Sequence, residues 1–136
     1  MPQSKCGKID ENLAIALHDI IYIANPLSQS ISMREIDFNY KRTTLDRSQK
    51  PFVTAISFDM CGEALAAGSS DSLVSIFDVR TGSRLRNLSC HSDAITAVSF
   101  CKNVCAPYLL ATGSKDKSVV FHDVRQKFSM ISRIES

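Results

Sequence analysis

The residues of this sequence that could do chemistry are five cysteines, three histidines and the carboxylates near them. Cys101 and Cys105, separated by three residues, could join His91 or His122 in a zinc site. Structural zinc needs four such ligands, usually as two closely spaced pairs, and no second pair occurs. Five cysteines are an odd number without disulfide-scaffold spacing, so we interpret them as small apolar residues with free thiols. We expect no metal and no cofactor.

Enzyme chemistry is not indicated either. Ser92 follows His91 directly, and adjacent residues of an extended segment point to opposite faces, so the imidazole could not act as a base on that hydroxyl. The sequence contains no G-x-x-x-x-G-K, H-E-x-x-H or G-x-S-x-G motif. Asp10 and Glu11 are neighbours near the N-terminus, and nothing indicates that they form a perturbed carboxylate pair. We predict no catalytic residues and a binding module, not an enzyme.

The polar candidates belong to two copies of one sequence unit. VTAISF at 53–58 returns as ITAVSF at 95–100, 42 residues later. ALAAGS at 64–69, Asp71 and FDVR at 77–80 return 45 residues later as LLATGS, Asp116 and HDVR. The two spacings, 42 and 45 residues, differ because the second copy has a three-residue insertion within 101–108. Such a period indicates a repeated supersecondary unit.

Each copy predicts four strands. A run of β-branched and aromatic residues indicates the first strand, and a small apolar run that ends in Gly-Ser indicates the second. An Asx turn then leads to the third strand. A degraded copy precedes them, with Asp19 at the position of Asp71 and Asp116 and without its innermost strand. Four antiparallel strands per 40–45 residues describe a propeller blade. The predicted strands are 13–17, 20–24, 31–38, 53–58, 64–69, 73–79, 83–89, 95–100, 109–114, 118–124 and 128–134.

We therefore predict an all-β fold, a partial WD-repeat β-propeller of about three four-stranded antiparallel blades, the first of them incomplete. The division is a lead-in (1–12), a first blade (13–40), a basic connecting loop (41–51), a second blade (52–92) and a third blade (93–136).

These units resemble WD repeats. Phe77-Asp78 and His122-Asp123 stand where the Trp-Asp pair belongs, and Cys90-His91 where Gly-His belongs. The strings RLRNLSCHS (84–92), HDVR (122–125) and LAIAL (13–17), the last followed by a Tyr-bearing strand, are similar to the first three blades of the Fizzy family. Members of that family are WD-repeat activators of the anaphase-promoting complex.

The resemblance implies a structural hydrogen-bond network among loop, turn and strand, with Asp71, His91, Ser114 and Asp116 as its members here. His122 replaces the usual Trp, and we expect it to be partly buried and satisfied. The second blade has no Gly-His, so its network should be incomplete. If Asp71 holds its turn, Asp71→Ala should cost on the order of 1–2 kcal/mol.

For function, the resemblance implies recruitment of degron-bearing proteins to a ubiquitin ligase in cell-cycle control, with proteins as partners. Family members dock through an N-terminal C-box and a C-terminal Ile-Arg pair, which do not occur between Met1 and Ser136. The alternative is a generic WD-repeat scaffold, or a structural subunit completed by a partner chain. We carry over no degron-binding residue.

Composition limits the partners. The sequence is 44% apolar and 22% charged, as in globular proteins, and 16 Lys and Arg against 14 Asp and Glu give a net charge of only +2. We predict no nucleic-acid partner and no membrane partner. A remote alternative is nucleic-acid binding through 41–50 and 115–127. The sequence has no long apolar run and no signal peptide, so we expect a nuclear or cytoplasmic protein.

Two further expectations concern surfaces. The basic loop could contact a partner through Lys41, Arg42, Arg47 and Lys50, although a solvated insertion is the simpler interpretation. Propellers close rings of typically 4 to 8 blades, so three blades leave faces uncovered. We expect the chain to be part of a longer gene product, and the isolated chain to self-associate or to need the remaining blades.

Overall fold

The computed structural model describes residues 13–17, 20–24, 33–37, 51–126 and 130–136. All regular structure in these residues is β-strand, in three antiparallel sheets. The first sheet has the order β1-β2-β3, the second β4-β5-β6-β7 and the third β8-β9-β10-β11. The strands are β1 (Leu13–Leu17), β2 (Ile20–Ala24), β3 (Met33–Asp37), β4 (Val53–Phe58), β5 (Ala64–Ser69), β6 (Val74–Asp78), β7 (Arg84–Leu88), β8 (Ile95–Phe100), β9 (Leu109–Ser114), β10 (Ser118–Asp123) and β11 (Met130–Glu135).

These sheets are the three predicted blades, and the all-β prediction is confirmed. Six of the eleven strands have the predicted bounds, and the other five differ by one or two residues at their ends. No finding tests the division into a lead-in, blades and a loop, which stays a prediction. Segment 41–50, with the predicted contact residues Lys41, Arg42, Arg47 and Lys50, lies outside the described residues.

The sequence repeat is also a repeat of backbone irregularities. The second blade has register shifts between Val53 and Ala55 and between Ile76 and Phe77. The third blade has them 42 and 45 residues later, at Ile95/Ala97 and Phe121/His122. Bulges re-aim side chains along a strand, so their recurrence gives both blades the same pattern of inward and outward positions.

The turns between the second and third strands of these blades share an unusual conformation. Ser72 and Lys117 have positive φ angles of 77° and 68°. The amide of each donates to the carbonyl three residues earlier, Ser69 or Ser114. A left-handed residue therefore closes both turns directly after the predicted aspartates.

The blades pack face to face through two apolar cores. Between the first and second blades, Ile21 and Ile23 pack with Leu65, Ala67 and Phe77, together with Val53, Val79 and the partly buried Ala14, Ala16, Ile56 and Phe58. Between the second and third blades the core consists of Ala66, Val74, Ile76, Leu88, Ile95, Val98, Phe100 and Leu110, with Ala55, Ala64 and Val124 at its margin.

Close contact between the second and third blades depends on Gly68. A Cβ at this position would lie 2.4 Å from Ile95 Cγ2, so any larger residue would push the blades apart. Polar contacts fix the same boundary from the side. Arg86 donates to the carbonyls of Val124 and Gln126 at 2.9 and 2.6 Å, and Phe100 N donates to Ser57 Oγ at 3.1 Å.

Two findings concern cysteines and membranes. Cys61 is disulfide-bonded, whereas Cys90, Cys101 and Cys105 carry free thiols. The interpretation of every cysteine as free is therefore wrong for Cys61, because sequence spacing does not show which thiols the fold brings together. Within the described ranges, no helix is long and apolar enough to span a bilayer.

Candidate functional site

The loop that leads into β8 carries a histidine into the third blade. His91 is 7% exposed and lies between Thr112 of β9 and Ser118 of β10. The turn between these two strands places Asp116 beside the same ring. A loop, a turn and two strands therefore meet at one imidazole.

Both ring nitrogens of His91 are hydrogen-bonded. Nδ1 lies 3.1 Å from Asp116 Oδ2 and 3.0 Å from Ser118 Oγ, and Nε2 lies 2.8 Å from Thr112 Oγ1. An ionised carboxylate can only accept, so Nδ1 carries the proton given to Asp116. In the neutral ring Nε2 then accepts the proton of the Thr112 hydroxyl. The position of each proton follows from the partner's chemistry.

The network continues from Thr112 to the histidine at the Trp position. His122 is 1% exposed, and its Nε2 lies 3.1 Å from Thr112 Oγ1 and 3.5 Å from Cys90 Sγ. Since Thr112 gives its proton to His91, its oxygen can accept the N–H of His122. Thr112 thus joins the two histidines as acceptor for one and donor to the other.

Asp116 is the main acceptor of the site. It receives the Ser92 amide at 3.0 Å, the Ser118 amide at 3.0 Å and the Ser118 hydroxyl, in addition to His91. These bonds, that from the Ser118 hydroxyl first, hold the pKa of Asp116 well below its ordinary 3.8. The carboxylate is therefore ionised at any pH at which the protein is handled.

Burial shifts the two other titrating groups of the network toward their neutral forms. It lowers the pKa of His122 from 6.5 to about 4, with the positive charge of Arg86 acting in the same direction. It also raises the pKa of the Cys90 thiol above its ordinary 9.0. A protonated, half-buried thiol is a weak nucleophile, so Cys90 packs and does not react.

The outermost strand closes the site. Arg133 of β11 donates to the Cys90 carbonyl at 2.6 Å and lies 3.4 Å from Asp116 Oδ2. Ser136 N donates to the Lys117 carbonyl at 3.1 Å. The last strand is therefore tied to both the loop and the turn that hold His91.

The four predicted network residues are divided between two places. His91 and Asp116 are in direct contact, and Ser114 accepts the Asp116 amide at 3.1 Å and bonds the Asp93 and Ala94 carbonyls at 2.9 Å. Asp71 lies in the turn of the second blade, where it is exposed and its Oδ1 accepts the Leu73 amide at 3.4 Å. The structure brings three of the four together, and their common function stays a prediction.

Sequence reasoning missed Thr112, Ser118 and Arg133. The signal for the first two lay in the repeat itself, because these residues replace Ala67 and Leu73 of the second blade. Two polar replacements at core positions of the blade that also has the histidine indicate a shared polar site. No such signal existed for Arg133, which reaches from β11 to the carbonyl of the loop residue Cys90, 43 residues earlier.

The arrangement positions backbone segments around polar side chains that are closed to solvent. Thr112 and His122 are each about 1% exposed, so no external carbonyl or phosphate can reach the hydroxyl or the imidazole. Among the described residues, no group of three or more His, Cys, Asp or Glu is placed to hold a metal ion. What the site does is hold the loop before β8, the turn after β9 and the strand β11 in one arrangement.

Known proteins share this fold. A family model described as "Anaphase-promoting complex subunit 4 WD40 domain" matches residues 27–103. "Anaphase-promoting complex subunit cdh1" of Dictyostelium discoideum is 28% identical over 83% of this chain and 13% of its own length. "Cell division cycle 20.5, cofactor of APC complex" of Arabidopsis thaliana is 30% identical over 88% of this chain and 24% of its own length.

The chain is also similar to a protein named for another process and to propellers of known structure. "Poly(A)+ RNA export protein" of Schizosaccharomyces pombe is 34% identical over 54% of this chain and 21% of its own length. The chain thus spans less than a quarter of each of these relatives. Among solved structures, the "Crystal Structure of Mitotic Checkpoint Complex" contains a chain with a TM-score of 0.72 and 25% identity, over 92% of this chain and 34% of that one. The "Crystal structure of RRP9 WD40 repeats" has a TM-score of 0.75 at 20% identity, over 93% and 36%, and shows the fold alone.

Proposed function

We propose that this chain, which belongs to the WD40 domain family whose model it matches over residues 27–103, is a non-catalytic protein-interaction module that recruits proteins to the anaphase-promoting complex in cell-cycle control. The observation that carries the proposal is the extent of the match. Relatives named as a subunit or cofactor of that complex align over 83% and 88% of the chain, which is longer than two blades. The match is therefore wider than one repeat.

The site geometry supports a non-catalytic role. The polar side chains that could perform chemistry point into the blade and form hydrogen bonds with one another. Rigid loops on a packed sheet scaffold are the usual binding surfaces of such folds. Recruitment requires a fixed surface and no reacting group, which is what this network provides.

The proposal is tested by binding to the anaphase-promoting complex stripped of its own activators. The purified chain should bind it saturably, and an intact Fizzy-type activator should compete. Peptides with a destruction box or a KEN motif should bind the chain more tightly than scrambled peptides. If the chain binds neither the complex nor the peptides, while a full activator binds both in the same assay, the recruiting role is wrong.

The predicted basic loop supplies a variant pair for this assay. Lys41, Arg42, Arg47 and Lys50 are replaced by Glu in one variant, and by Gln in its matched control. A partner-contact loop predicts weaker binding in the Gln variant and a further loss in the Glu variant. Unchanged binding in both would show that 41–51 is a solvated connection.

A second candidate is a WD-repeat scaffold or structural subunit that acts elsewhere. The similarity to a protein named for poly(A)+ RNA export favours it. In that case the chain should co-purify with a stable assembly that lacks the anaphase-promoting complex. If instead it binds nucleic acid through 41–50 and 115–127, the affinity should fall steeply from low to physiological salt.

A further inference from the structure

Four loops of the second and third blades lie at the same end of these blades, where β4 and β8 finish. We call this the lower end, and its loops are 59–63, 79–83, 101–108 and 124–126. Within the second blade, Val79 N donates to the Glu63 carbonyl at 3.0 Å. Lys102 of the third blade donates to the carbonyl of Phe58, directly before the first of these loops. The loops therefore form one surface that crosses the boundary between the two blades.

The repeated Asp-Val-Arg segments turn their carboxylates inward and their cations outward at the lower end. Asp78 Oδ1 accepts the Arg80 amide at 2.9 Å, and Asp123 Oδ1 accepts the Arg125 amide at 3.0 Å. Asp78 is half-buried and Asp123 is buried, whereas both arginines are exposed. The aspartates thus hold the backbone of the turns, and the arginine side chains are left for the surface.

The exposed charges differ between the two ends of these blades. At the lower end, the exposed charged residues of the four loops are Arg80, Lys102 and Arg125 against Glu63. At the opposite end, where β5, β9 and β11 finish, the exposed charged residues are Lys115, Lys117 and Arg133 against Asp71, Asp93 and Glu135. The excess of positive surface charge therefore belongs to the lower end, and the opposite end is balanced.

Arg125 is fixed in position but still reachable. Its guanidinium stacks on the ring of Tyr108, with 3.3 Å from Cζ to the ring centroid, which joins loop 124–126 to loop 101–108. Nε and Nη2 donate to Asp123 at 3.1 and 2.9 Å, yet the Arg125 side chain is 58% exposed. A guanidinium that is already held in place loses less conformational entropy when it binds a carboxylate.

The three-residue insertion of the repeat lies at the lower end as well. It lengthens loop 101–108, where Asn103 Oδ1 accepts the Cys105 amide at 2.9 Å and the Asn103 carbonyl accepts the Ala106 amide at 3.0 Å. These bonds order the tip of the loop, on which Val104 is 42% exposed. Loops on a rigid scaffold often carry binding residues. The tip therefore presents one apolar side chain two residues from the cation of Lys102.

We propose that the lower end binds an acidic segment of a partner protein, with carboxylates on Arg80, Lys102 and Arg125 and an apolar side chain on Val104. Complementary charge selects the acidic partner. A nucleic acid fits this surface less well, because single strands stack on exposed aromatic rings. Among the described residues of the four loops, the one aromatic ring is that of Tyr108, which Arg125 covers. The proposal goes beyond recruitment to the ligase and does not rest on it.

The first test uses fluorescence anisotropy of a labelled polyglutamate peptide with the purified chain. The double variant Arg80→Glu, Lys102→Glu should weaken binding about tenfold, because two attractive contacts become repulsive. The double variant Lys115→Glu, Lys117→Glu changes the net charge equally at the opposite end and is the matched control. It should weaken binding less than about twofold. Equal losses in the two variants would assign the binding to net charge and overturn the proposal, as would a parent chain that does not bind the peptide.

A second peptide, of alternating Glu and Leu, tests the apolar contact. Val104→Ser should weaken the binding of this peptide and leave that of polyglutamate unchanged. Val119→Ser is the control, since Val119 of β10 is similarly exposed, at 39%, but lies near the opposite end. If Val104→Ser and Val119→Ser have the same effect, Val104 is not in the contact and the proposed surface is wrong.

Polyuridylate distinguishes the other class of anionic partner. It should bind the parent chain more weakly than polyglutamate at the same ionic strength. Tighter binding of polyuridylate that is lost in Arg80→Glu, Lys102→Glu would make the lower end a nucleic-acid surface, and the proposal of an acidic protein segment would fail.

Discussion

The second and third blades have the same strands and the same bulges, yet their interiors are filled in opposite ways. At three equivalent positions the second blade has Ala67, Leu73 and Phe77, and the third blade has Thr112, Ser118 and His122. Ala67 and Phe77 pack against the first blade and are 0% and 1% exposed, and Leu73 is half-buried. The polar set surrounds His91 with hydrogen bonds.

The difference teaches that the loop histidine decides which residues the strands can carry. An imidazole brought into a blade needs partners at both nitrogens, because a buried polar group without a partner costs about 1–3 kcal/mol. The third blade supplies these partners. The second blade has Gln49-Lys50 near the corresponding position, and a hydroxyl at 67 would have no histidine to bond. The same blade backbone can therefore hold an apolar or a polar set of interior side chains, provided that the strand residues and the loop residue change together.

The largest effect is expected from removing the histidine itself. His91→Ala should lower the free energy of unfolding by about 3 kcal/mol, because it leaves a cavity and takes the shared partner from Thr112 and Ser118. Urea unfolding measures this change. Ser92→Ala is the matched control, since its side chain is exposed and only its backbone amide reaches Asp116. If the two variants have the same free energy of unfolding, the hydrogen bonds of His91 do not stabilise the third blade.

Removing the hydroxyl from position 112 of the third blade, and adding one at the equivalent position 67 of the second blade, should each cost stability. Thr112→Val leaves both histidines without the bridging hydroxyl and should cost about 2 kcal/mol. Ala67→Thr places a hydroxyl in an apolar core and should cost about 1–2 kcal/mol. Thr96→Val, at an exposed position of β8, is the control. A neutral result for both exchanges in urea unfolding would show that the two interiors are interchangeable residue by residue.

The polar interior should also make stability depend on pH. The pKa of His122 is lowered from 6.5 to about 4 in the fold, so between these values the unfolded chain binds a proton that the folded one refuses. His122 should therefore take nothing from stability above pH 6.5, and stability should fall as pH decreases toward 4, by on the order of 10 °C in Tm. The lowered pKa of Asp116 adds a separate loss, which begins only below about its ordinary 3.8.

His122→Phe, which installs the residue of the second blade, sharpens this comparison. The variant should lose the slope between pH 6.5 and 4 and keep the loss at lower pH, as measured by thermal scans. An unchanged slope would assign the titration to another group.

The smallest effect is expected in the turn of the second blade. The sequence predicts a cost of on the order of 1–2 kcal/mol for Asp71→Ala. The exposure of the side chain reduces this expectation to about 0.5 kcal/mol. Thermal unfolding of Asp71→Ala should give a Tm within about 3 °C of the parent. A larger loss would place Asp71 in a network as important as that of Asp116.

The sequence by itself determined the strands, the blades and the likeness to WD repeats. These follow from local properties: a run of β-branched residues, a Gly-Ser ending and an Asx turn act within a few residues, and their repetition at 42 and 45 residues shows the period. His91 and Asp116 could be named as partners for the same reason, because the repeat places them at fixed offsets. The bulges could not be seen, since a register shift depends on the neighbouring strand.

Only the tertiary structure decided which side chains complete the site and which faces are covered. Thr112 lies on the buried side of β9, and its hydroxyl becomes a bridge only because His91 and His122 reach it from two other segments. Arg133 reaches the Cys90 carbonyl across 43 residues of sequence. The same apolar pattern is buried in Val74 and exposed in Val119, because burial depends on the neighbouring blade and not on the residue.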